Sequence, residues 1–291
     1  MIKKVLWLFF FSFSVSYGET VRVATYNLWN YLVMDRRLSD HTWRSAPKPE
    51  SQKEAVCKVI VSANPDILLV QEIGGWSDLC DLQRKLFQNG LDYPHIFLAQ
   101  GSDPTRFNGL LSKIPWKQAE TIDDLTYNYF GQTLTVKRGL LKVQFLTAKI
   151  DWYFYGLHLK SKWSSNKKDP LSAKQRKSEA MKVREYIYKK HQGKGYYLIA
   201  GDFNDTVNMP VLRYFLNRGD TTLSEVIPVM DSKGLIWTHF YRKAGIYSQI
   251  DFLLASPLLL QKTFRTSGEI VDLPISWQAS DHRLVYVDLY F

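Results

Sequence analysis

Short apolar runs that meet polar residues abruptly recur along this sequence, and they constrain the fold more than any other feature. Runs of this length that are rich in β-branched and aromatic residues are typical of buried strands. Because most of them end in Asn, Glu, His or Asp, we expect polar side chains at the ends of strands. The predicted strands are residues 21–27, 66–72, 152–158, 196–202, 250–255 and 284–289.

Amphipathic helices separate some of these strands. Apolar residues fall on one helical face from residue 52 to residue 63, where Asn64-Pro65 ends the helix. A second amphipathic helix is predicted over residues 172–191. The sequence has no internal repeat, low-complexity segment or linker rich in Pro and Gly. It therefore predicts a single mixed α/β domain over residues 19–291.

The N-terminus has the pattern of a secretory signal peptide. Two lysines precede an apolar stretch over residues 5–15, and the small residues Ser16 and Gly18 follow it. The stretch is shorter than the roughly 20 residues that span a bilayer. We therefore predict that residues 1–18 are removed by cleavage near Gly18 and that the mature protein is secreted or periplasmic.

The chain is basic, with a formal net charge of +10 at pH 7. It stays basic without the two lysines of the predicted signal peptide. A basic exported protein is attracted to nucleic acid, to anionic lipid or to other polymers that carry phosphate. Charge alone does not choose among these partners.

Two cysteines, Cys57 and Cys80, are present. Export to an oxidising compartment would permit them to form a disulfide. Alternatively, both are small apolar residues buried on helices. The sequence leaves both interpretations open.

Carboxylates at the ends of predicted buried strands suggest a cation site. Asp202 and Asn204 follow one very apolar run, and Glu72 ends another. An unpaired carboxylate there is costly to desolvate, and a bound cation would remove that cost. Mg²⁺ prefers oxygen ligands and uses one or two carboxylates together with substrate phosphate. Glu72 and Asp281 are the candidates.

Two histidines occupy similar places. His158 ends one predicted strand, and His282 immediately precedes the last one. Histidines beside acidic strand ends suit acid–base chemistry near neutral pH, particularly where a carboxylate such as Asp251 holds one imidazole. Zinc is disfavoured because no cluster of His and Cys has the tight spacing of zinc ligands.

Six motifs occur in an order that resembles the endonuclease/exonuclease/phosphatase superfamily. This superfamily includes pancreatic-type deoxyribonuclease, abasic-site endonucleases, bacterial sphingomyelinases and inositol-polyphosphate 5-phosphatases. The resemblance implies a four-layered αββα sandwich in which two mixed β-sheets pack face to face and the motif loops converge at one edge. The motifs are Thr25-Tyr-Asn-Leu-Trp29, Gln71-Glu72, Gly156-Leu-His-Leu-Lys-Ser161, Gly201-Asp-Phe-Asn204, Ser248-Gln-Ile-Asp251 and Ser280-Asp-His282.

The resemblance also implies a role for each matching residue. Water activated by the His–Asp pair would attack phosphorus in line with the leaving oxygen, in the presence of Mg²⁺ or else Ca²⁺ or Mn²⁺. The implied catalytic residues are His158, Asp202, Asn204, Asp251 and His282, the metal-site residues are Asn27, Glu72 and Asp281, and the substrate-binding residues are Asn108, Arg138 and Lys160.

The sequence departs from the family pattern at two places. Leu284 stands where relatives commonly have proline, which affects the turn more than the chemistry. The Trp-Cys-Asp-Arg segment of inositol 5-phosphatases is absent, and Ser248-Gln-Ile-Asp251 stands in its place. This departure disfavours that class.

A basic segment after His158 favours a polynucleotide as the substrate of this predicted endonuclease. Residues 160–177 carry seven lysines and arginines against Asp169, and Trp163 could stack on a base. A lipid phosphodiesterase of the sphingomyelinase type is the alternative, with Trp29, Tyr31 and Trp43, or the aromatic segment 127–130, entering an anionic membrane surface. A phosphomonoesterase on the same fold is a further alternative. No protein partner is evident, so a monomer is expected.

Overall fold

The computed structural model describes residues 18–37, 41–263 and 268–291. Residues 1–17 of the predicted signal peptide lie outside the described residues, so its cleavage and export of the protein stay predictions. Among the described residues, no helix is both long and apolar enough to cross a membrane.

The described residues form six helices and 21 strands. The helices are α1 (Glu50–Ala63), α2 (Trp76–Gln88), α3 (Ala173–His191), α4 (Pro210–Leu216), α5 (Pro257–Lys262) and α6 (Ser276–Ala279). The strands are β1 (Thr20–Tyr31), β2 (Met34–Arg37), β3 (Trp43–Ala46), β4 (Ile67–Ile73), β5 (His95–Ala99), β6 (Phe107–Ser112), β7 (Trp116–Ile122), β8 (Thr126–Tyr129), β9 (Gln132–Thr135), β10 (Leu140–Thr147), β11 (Ile150–His158), β12 (Tyr197–Asp202), β13 (Asn217–Arg218), β14 (Thr221–Thr222), β15 (Glu225–Val226), β16 (Val229–Met230), β17 (His239–Tyr241), β18 (Ile246–Ser248), β19 (Asp251–Ala255), β20 (Gly268–Ile270) and β21 (Val285–Tyr290).

Local sequence signals explain where the two long helices begin and end. Asn64 ends α1 in the left-handed conformation, with its backbone N–H donating to the carbonyl of Ile60, and Pro65 follows it. At the start of α3, the buried carboxylate of Asp169 accepts hydrogen bonds from the backbone N–H groups of Lys174 and Gln175. These bonds satisfy donors that have no partner inside the helix.

Two mixed sheets form the centre of the molecule. One has seven strands in the order β16-β20-β21-β1-β4-β6-β5, and the other has six in the order β15-β19-β12-β11-β10-β7. Parallel pairs, β1 with β4 and β11 with β12, lie beside antiparallel pairs in both sheets. The β1–β4 and β11–β12 pairs carry Asn27, Glu72, His158 and Asp202 towards their carboxyl ends.

Three apolar cores separate four layers. Helices α1 and α2 pack on the outer face of the seven-stranded sheet through residues such as Val56. The two sheets face each other through residues such as Leu69 and Phe154. Helices α3 and α4 cover the outer face of the six-stranded sheet through residues such as Val183. The predicted αββα sandwich is therefore confirmed.

Two local features were left open or described differently at the level of sequence. Both cysteines are free, with Cys57 buried in α1 and Cys80 half-buried in α2. The segment 29–49, for which the sequence predicts neither strand nor helix, contains the end of β1 and the β2–β3 hairpin. The hairpin strands are short and largely exposed, which explains why no apolar pattern marks them.

The packing between the two sheets leaves no room for a larger residue at Gly156, so the variant Gly156→Ala is expected to be destabilised. An added Cβ would lie 2.5 Å from Cδ1 of Leu69, which is fully buried on the facing sheet. Overpacking of this kind costs about 1–3 kcal/mol of unfolding free energy, which urea denaturation would measure. In a Leu69→Ala background the clash is gone, and the substitution should then cost much less. Equal costs in the two backgrounds would show that the two residues are not coupled.

Candidate active site

Residues of six strands meet at one edge of the sandwich. The parallel pairing of β11 with β12 aligns His158 with Asp202, and antiparallel pairing aligns Asp202 with Asp251. On the facing sheet, Asn27 and Asn108 each align with Gln71, beside Glu72. The Asn27 side-chain amide donates to Oδ2 of Asp202 at 3.1 Å. This bond joins the sheets at the predicted site.

His282 and Asp251 form a buried pair. Nδ1 of His282 lies 2.9 Å from Oδ2 of Asp251, which also accepts a hydrogen bond of 2.7 Å from the Thr238 hydroxyl. Burial alone would lower the pKa of His282, but the charge of Asp251, its hydrogen bond and the charge of Asp202 raise the pKa to about 10. The carboxylates therefore stabilise the imidazolium form.

Asp202 lies on the other side of the same imidazole. Its Oδ2 is 3.9 Å from Nε2 of His282 and 3.5 Å from Nε2 of His158. Burial and the charge of Asp251 raise the pKa of Asp202. Asp202 also accepts a 2.8 Å hydrogen bond from the backbone N–H of Asn204, whose side chain donates to the carbonyl of Leu159. Asn204 thus ties the loop after β12 to the loop after β11.

Several buried polar atoms of the predicted site residues have no hydrogen-bond partner in the described residues. They include Nδ1 of His158, Nη1 of Arg138 and both side-chain polar atoms of Asn108. Burial, together with the charges of Arg138, His282 and Arg106, holds the pKa of His158 well below its usual value. A neutral imidazole, a guanidinium and an amide, all with free hydrogen-bonding atoms, suit a phosphoryl group.

Lys160, predicted to bind substrate, is bonded to its own loop in the structure. Its ammonium group donates to the backbone carbonyls of Ser161 and Trp163, in its own loop. Its side chain is buried, and burial lowers its pKa to about 8. A lysine that binds its own loop stabilises that loop, and a contact of Lys160 with substrate stays a prediction.

Glu72 and Asp281, the predicted metal carboxylates, lie near each other on opposite sides of Asn27. Burial and the charge of Glu72 raise the pKa of Asp281. Glu72 has a φ of 59° and accepts a hydrogen bond from the backbone N–H of Asn30. Positive φ at a residue other than glycine is uncommon and is found at functional sites. The carboxylates repel each other, and a divalent cation would relieve that repulsion, so these residues fit the predicted metal.

The described residues contain a second arrangement of possible metal-binding groups. Ligand atoms of Asp202, Asp251 and His282 all lie within 4.8 Å of one another. In this group the Asp251 carboxylate is already bonded to His282 and Thr238. The group is therefore better described as a proton-transfer unit. Asp202 connects this unit to the metal-site residues, because it accepts the hydrogen bond from Asn27.

Four residues of the site were not found from the sequence. His239 pairs with His282 across a β-bridge, with ring centroids 4.6 Å apart. Thr238 holds Asp251, and the charge of Arg106 acts on His158. Lys48 is 1% exposed and close enough to Glu72 and Asp281 for their charges to raise its pKa, although burial lowers that pKa to about 8. None of them follows a buried run in the sequence, which was the signal used to select candidates.

The comparisons with known proteins agree with this geometry. A model of the Endonuclease/Exonuclease/phosphatase family matches residues 24–282. The chain belongs to this family. Family members are hydrolytic phosphoesterases that generally depend on a divalent metal, and the chain is a phosphoesterase of this superfamily. No curated protein sequence matches the chain.

Solved structures with this fold are similar over nearly the whole chain. An endonuclease/exonuclease/phosphatase from Bacteroides vulgatus has a TM-score of 0.66 at 17% identity, covering 94% of this chain and 99% of its own. The human Nocturnin catalytic domain, with bound sulfate, has a TM-score of 0.63 at 17% identity, covering 94% of each chain. Sphingomyelinase C from Streptomyces griseocarneus has a TM-score of 0.60 at 15% identity, covering 93% of this chain and 99% of its own. At these identities the similarity shows the fold alone.

Proposed function

We propose that this protein is a divalent-metal-dependent phosphodiesterase that hydrolyses polynucleotides. The observation that carries the proposal is the position of the His282–Asp251 pair beside the unpaired buried groups of His158 and Arg138. The first pair can take a proton from water, and the second can hold a phosphoryl group. Asp202 lies between them, within 4 Å of both imidazoles.

The chemistry follows from the hydrogen bonds of His282. Because Nδ1 faces Asp251, the neutral tautomer carries its proton there and leaves Nε2 free to accept a proton from water. Without a cation the nearby carboxylates hold His282 largely as the imidazolium at neutral pH, because they raise its pKa to about 10. A cation held by Asp281 would offset part of that charge, lower the pKa and leave Nε2 free to accept the proton. A bound divalent cation would supply positive charge to the developing phosphorane-like state.

The groups around His158 act on the phosphoryl side of the reaction. His158 is neutral and donates through one ring N–H, whereas Arg138 carries a fixed positive charge. Arg138 is positioned by an ion pair in which its Nε lies 3.2 Å from Oδ2 of Asp103. Donors held in place before the reaction stabilise developing charge without a cost of reorganisation.

A basic surface next to this site favours a polynucleotide. The segment 160–177 begins two residues after His158, and two of its seven cations, Lys160 and Arg176, are buried. The one acidic residue of the segment, Asp169, is buried, and Trp163 is 75% exposed. Such a surface can follow a phosphate backbone and stack one base. The exposed cations of the segment are Lys162, Lys167, Lys168, Lys174 and Lys177.

Burial weakens the lipid alternative. Tyr31 and Tyr127, two of the aromatic residues expected to enter a membrane, are 0% and 5% exposed. Trp43 and Phe130 are exposed, but they lie on different hairpins. We also propose that the signal peptide exports the protein, that the mature protein is secreted or periplasmic, and that it is a monomer.

The proposal can be tested by incubating the purified protein with supercoiled plasmid, RNA, sphingomyelin vesicles and a chromogenic phosphodiester, each with Mg²⁺ or with EDTA. We expect cleavage of plasmid or RNA that requires Mg²⁺. Turnover of sphingomyelin with intact nucleic acid would overturn the choice of substrate, although the family and the metal site would stand.

A further inference from the structure

A cavity of about 140 Å³ adjoins the catalytic cluster and shares Asp281 and His282 with it. Trp237 and Trp277 also line this cavity, together with the buried residue Ser276. A cavity of about 150 Å³ accommodates benzene, so this one is large enough for a single six-membered ring. Apart from Asp281 and His282, none of the residues that line this cavity has a role in the proposed reaction.

The aromatic wall of the cavity is held rigidly. The Trp237 and Trp277 rings have centroids 5.4 Å apart and are inclined at 32°. Phe240 packs its ring edge-to-face with Trp277 at 5.4 Å, and the Arg283 guanidinium stacks 4.1 Å from the Trp237 centroid. Trp277 nevertheless stays 44% exposed. A fixed and partly exposed indole is a stacking surface that needs no reorganisation to receive a flat ligand.

An unpaired hydroxyl lies in the same cavity. Ser276 is 5% exposed, and its Oγ is buried without a hydrogen-bond partner in the described residues. A buried polar group without a partner is costly, and native structures rarely keep one without a reason. A ligand with a polar ring edge would supply the missing hydrogen bond.

The charged groups of the cavity favour a neutral ligand. Asp231 forms an ion pair of 2.9 Å with Arg283, and Asp272 accepts a hydrogen bond from Ser232. Lys233 adds a further cation to the lining. Carboxylates disfavour an additional anion, whereas Arg283 and Lys233 disfavour a quaternary ammonium group. A neutral ring with donors and acceptors on its edge satisfies both conditions.

We infer that this cavity is a subsite for the base of a nucleotide adjoining the scissile phosphate, stacked on Trp277 and hydrogen-bonded to Ser276. The inference rests on the proposed function and refines it. Because one ring fills the cavity, the base must be unpaired, and a pyrimidine fits best. The preferred substrate is therefore single-stranded polynucleotide rather than intact duplex.

Chromogenic diesters with one common leaving group test this subsite. The probes are methyl 4-nitrophenyl phosphate, the 5′- and 3′-(4-nitrophenyl phosphate) esters of thymidine, and 4-nitrophenyl phosphocholine, each assayed with Mg²⁺. We expect one thymidine ester to be preferred over the methyl ester. Trp277→Ala should then lower kcat/KM for that thymidine ester by about 10-fold, the effect of losing one base–aromatic stack, and change the methyl ester less than about twofold. Phe87→Ala, which removes an exposed aromatic ring at the far end of α2, should change neither.

Ser276→Ala provides a second variant. The lost hydroxyl has no hydrogen-bond partner among the described residues, so folding should be unaffected even if Trp277→Ala proves unstable. A selective fall of about threefold or more for the thymidine ester is expected. Equal losses on all probes, or no loss on any, would overturn the subsite, and a selective loss on the phosphocholine ester would assign the cavity to choline instead. Failure of the wild-type protein to hydrolyse every diester would contradict the proposed function itself.

Discussion

Replacing His282 by alanine is expected to lower kcat for phosphodiester hydrolysis by roughly 10²- to 10⁴-fold, the usual contribution of a positioned general base. The physical reason is the 2.9 Å contact of its Nδ1 with Asp251, which leaves Nε2 free to accept a proton. Steady-state kinetics on a chromogenic diester measure the effect. Since the imidazole acts on the reacting water, KM should change much less than kcat.

Two further variants separate this role from a structural one. Asp251→Asn keeps the size of the side chain but no longer fixes the tautomer of His282, so a large fall in kcat is expected there too. Added imidazole should restore part of the activity of His282→Ala, because it fits the space left by the side chain. His95→Ala, at the far edge of the seven-stranded sheet, is the matched control. Full activity of His282→Ala on every substrate would show that the assigned base is wrong.

His158→Ala is expected to lower kcat by roughly 10²- to 10³-fold, as the loss of one preorganised donor to a developing oxyanion does. The imidazole is 2% exposed, and the charges of Arg138 and Arg106 disfavour its protonated form. It therefore donates a hydrogen bond as a neutral group, and that bond strengthens as negative charge grows on the phosphoryl oxygens.

The kinetic signature of this variant distinguishes it from simple loss of binding. If His158 acted only in substrate binding, KM would rise and kcat would stay constant. That result would contradict the assignment to the transition state. Arg138→Leu should show a combined effect on KM and kcat, because a fixed positive charge attracts the phosphate before and during the reaction.

The layers of the fold could be predicted because six of the central strands and the helices α1 and α3 have local signatures. The run ending at Glu72 and the one ending at Asp202 are apolar throughout, and both are buried strands as expected. The order of the motifs then identified the superfamily, and with it the sandwich. Local patterns were sufficient for these elements because burial on both faces leaves a continuous apolar run.

The residues that the sequence did not reveal depend on long-range pairing. His239 reaches the site because it pairs with His282, 43 positions further along the chain. Lys48 is buried beside Glu72 and Asp281 although no apolar run surrounds it. No local pattern encodes such contacts, since they form only when the β17–β18 hairpin and the segment before α1 dock on the sheets.

The solvent exposure of charged and aromatic side chains was the least predictable property. Lys160 was expected to contact substrate, yet its ammonium group binds carbonyls of its own loop. The lipid alternative placed Tyr31 at the surface, whereas it is fully buried and its hydroxyl donates to Asp81 at 2.8 Å. A charged or aromatic residue in a polar segment can be buried whenever its polar tip finds a partner, and the sequence does not show that partner.

The central claim, a metal-dependent phosphodiesterase centre, is tested most directly with metal-stripped protein. Hydrolysis of methyl 4-nitrophenyl phosphate is measured before and after addition of Mg²⁺, Mn²⁺ or Ca²⁺. We predict no turnover in EDTA, recovery with at least one of these cations, and no recovery in Glu72→Ala at the same cation concentration, because a metal-site carboxylate is lost. Undiminished hydrolysis in EDTA, or full recovery in Glu72→Ala, would contradict the assignment of a metal-dependent phosphodiesterase centre at this edge of the sandwich.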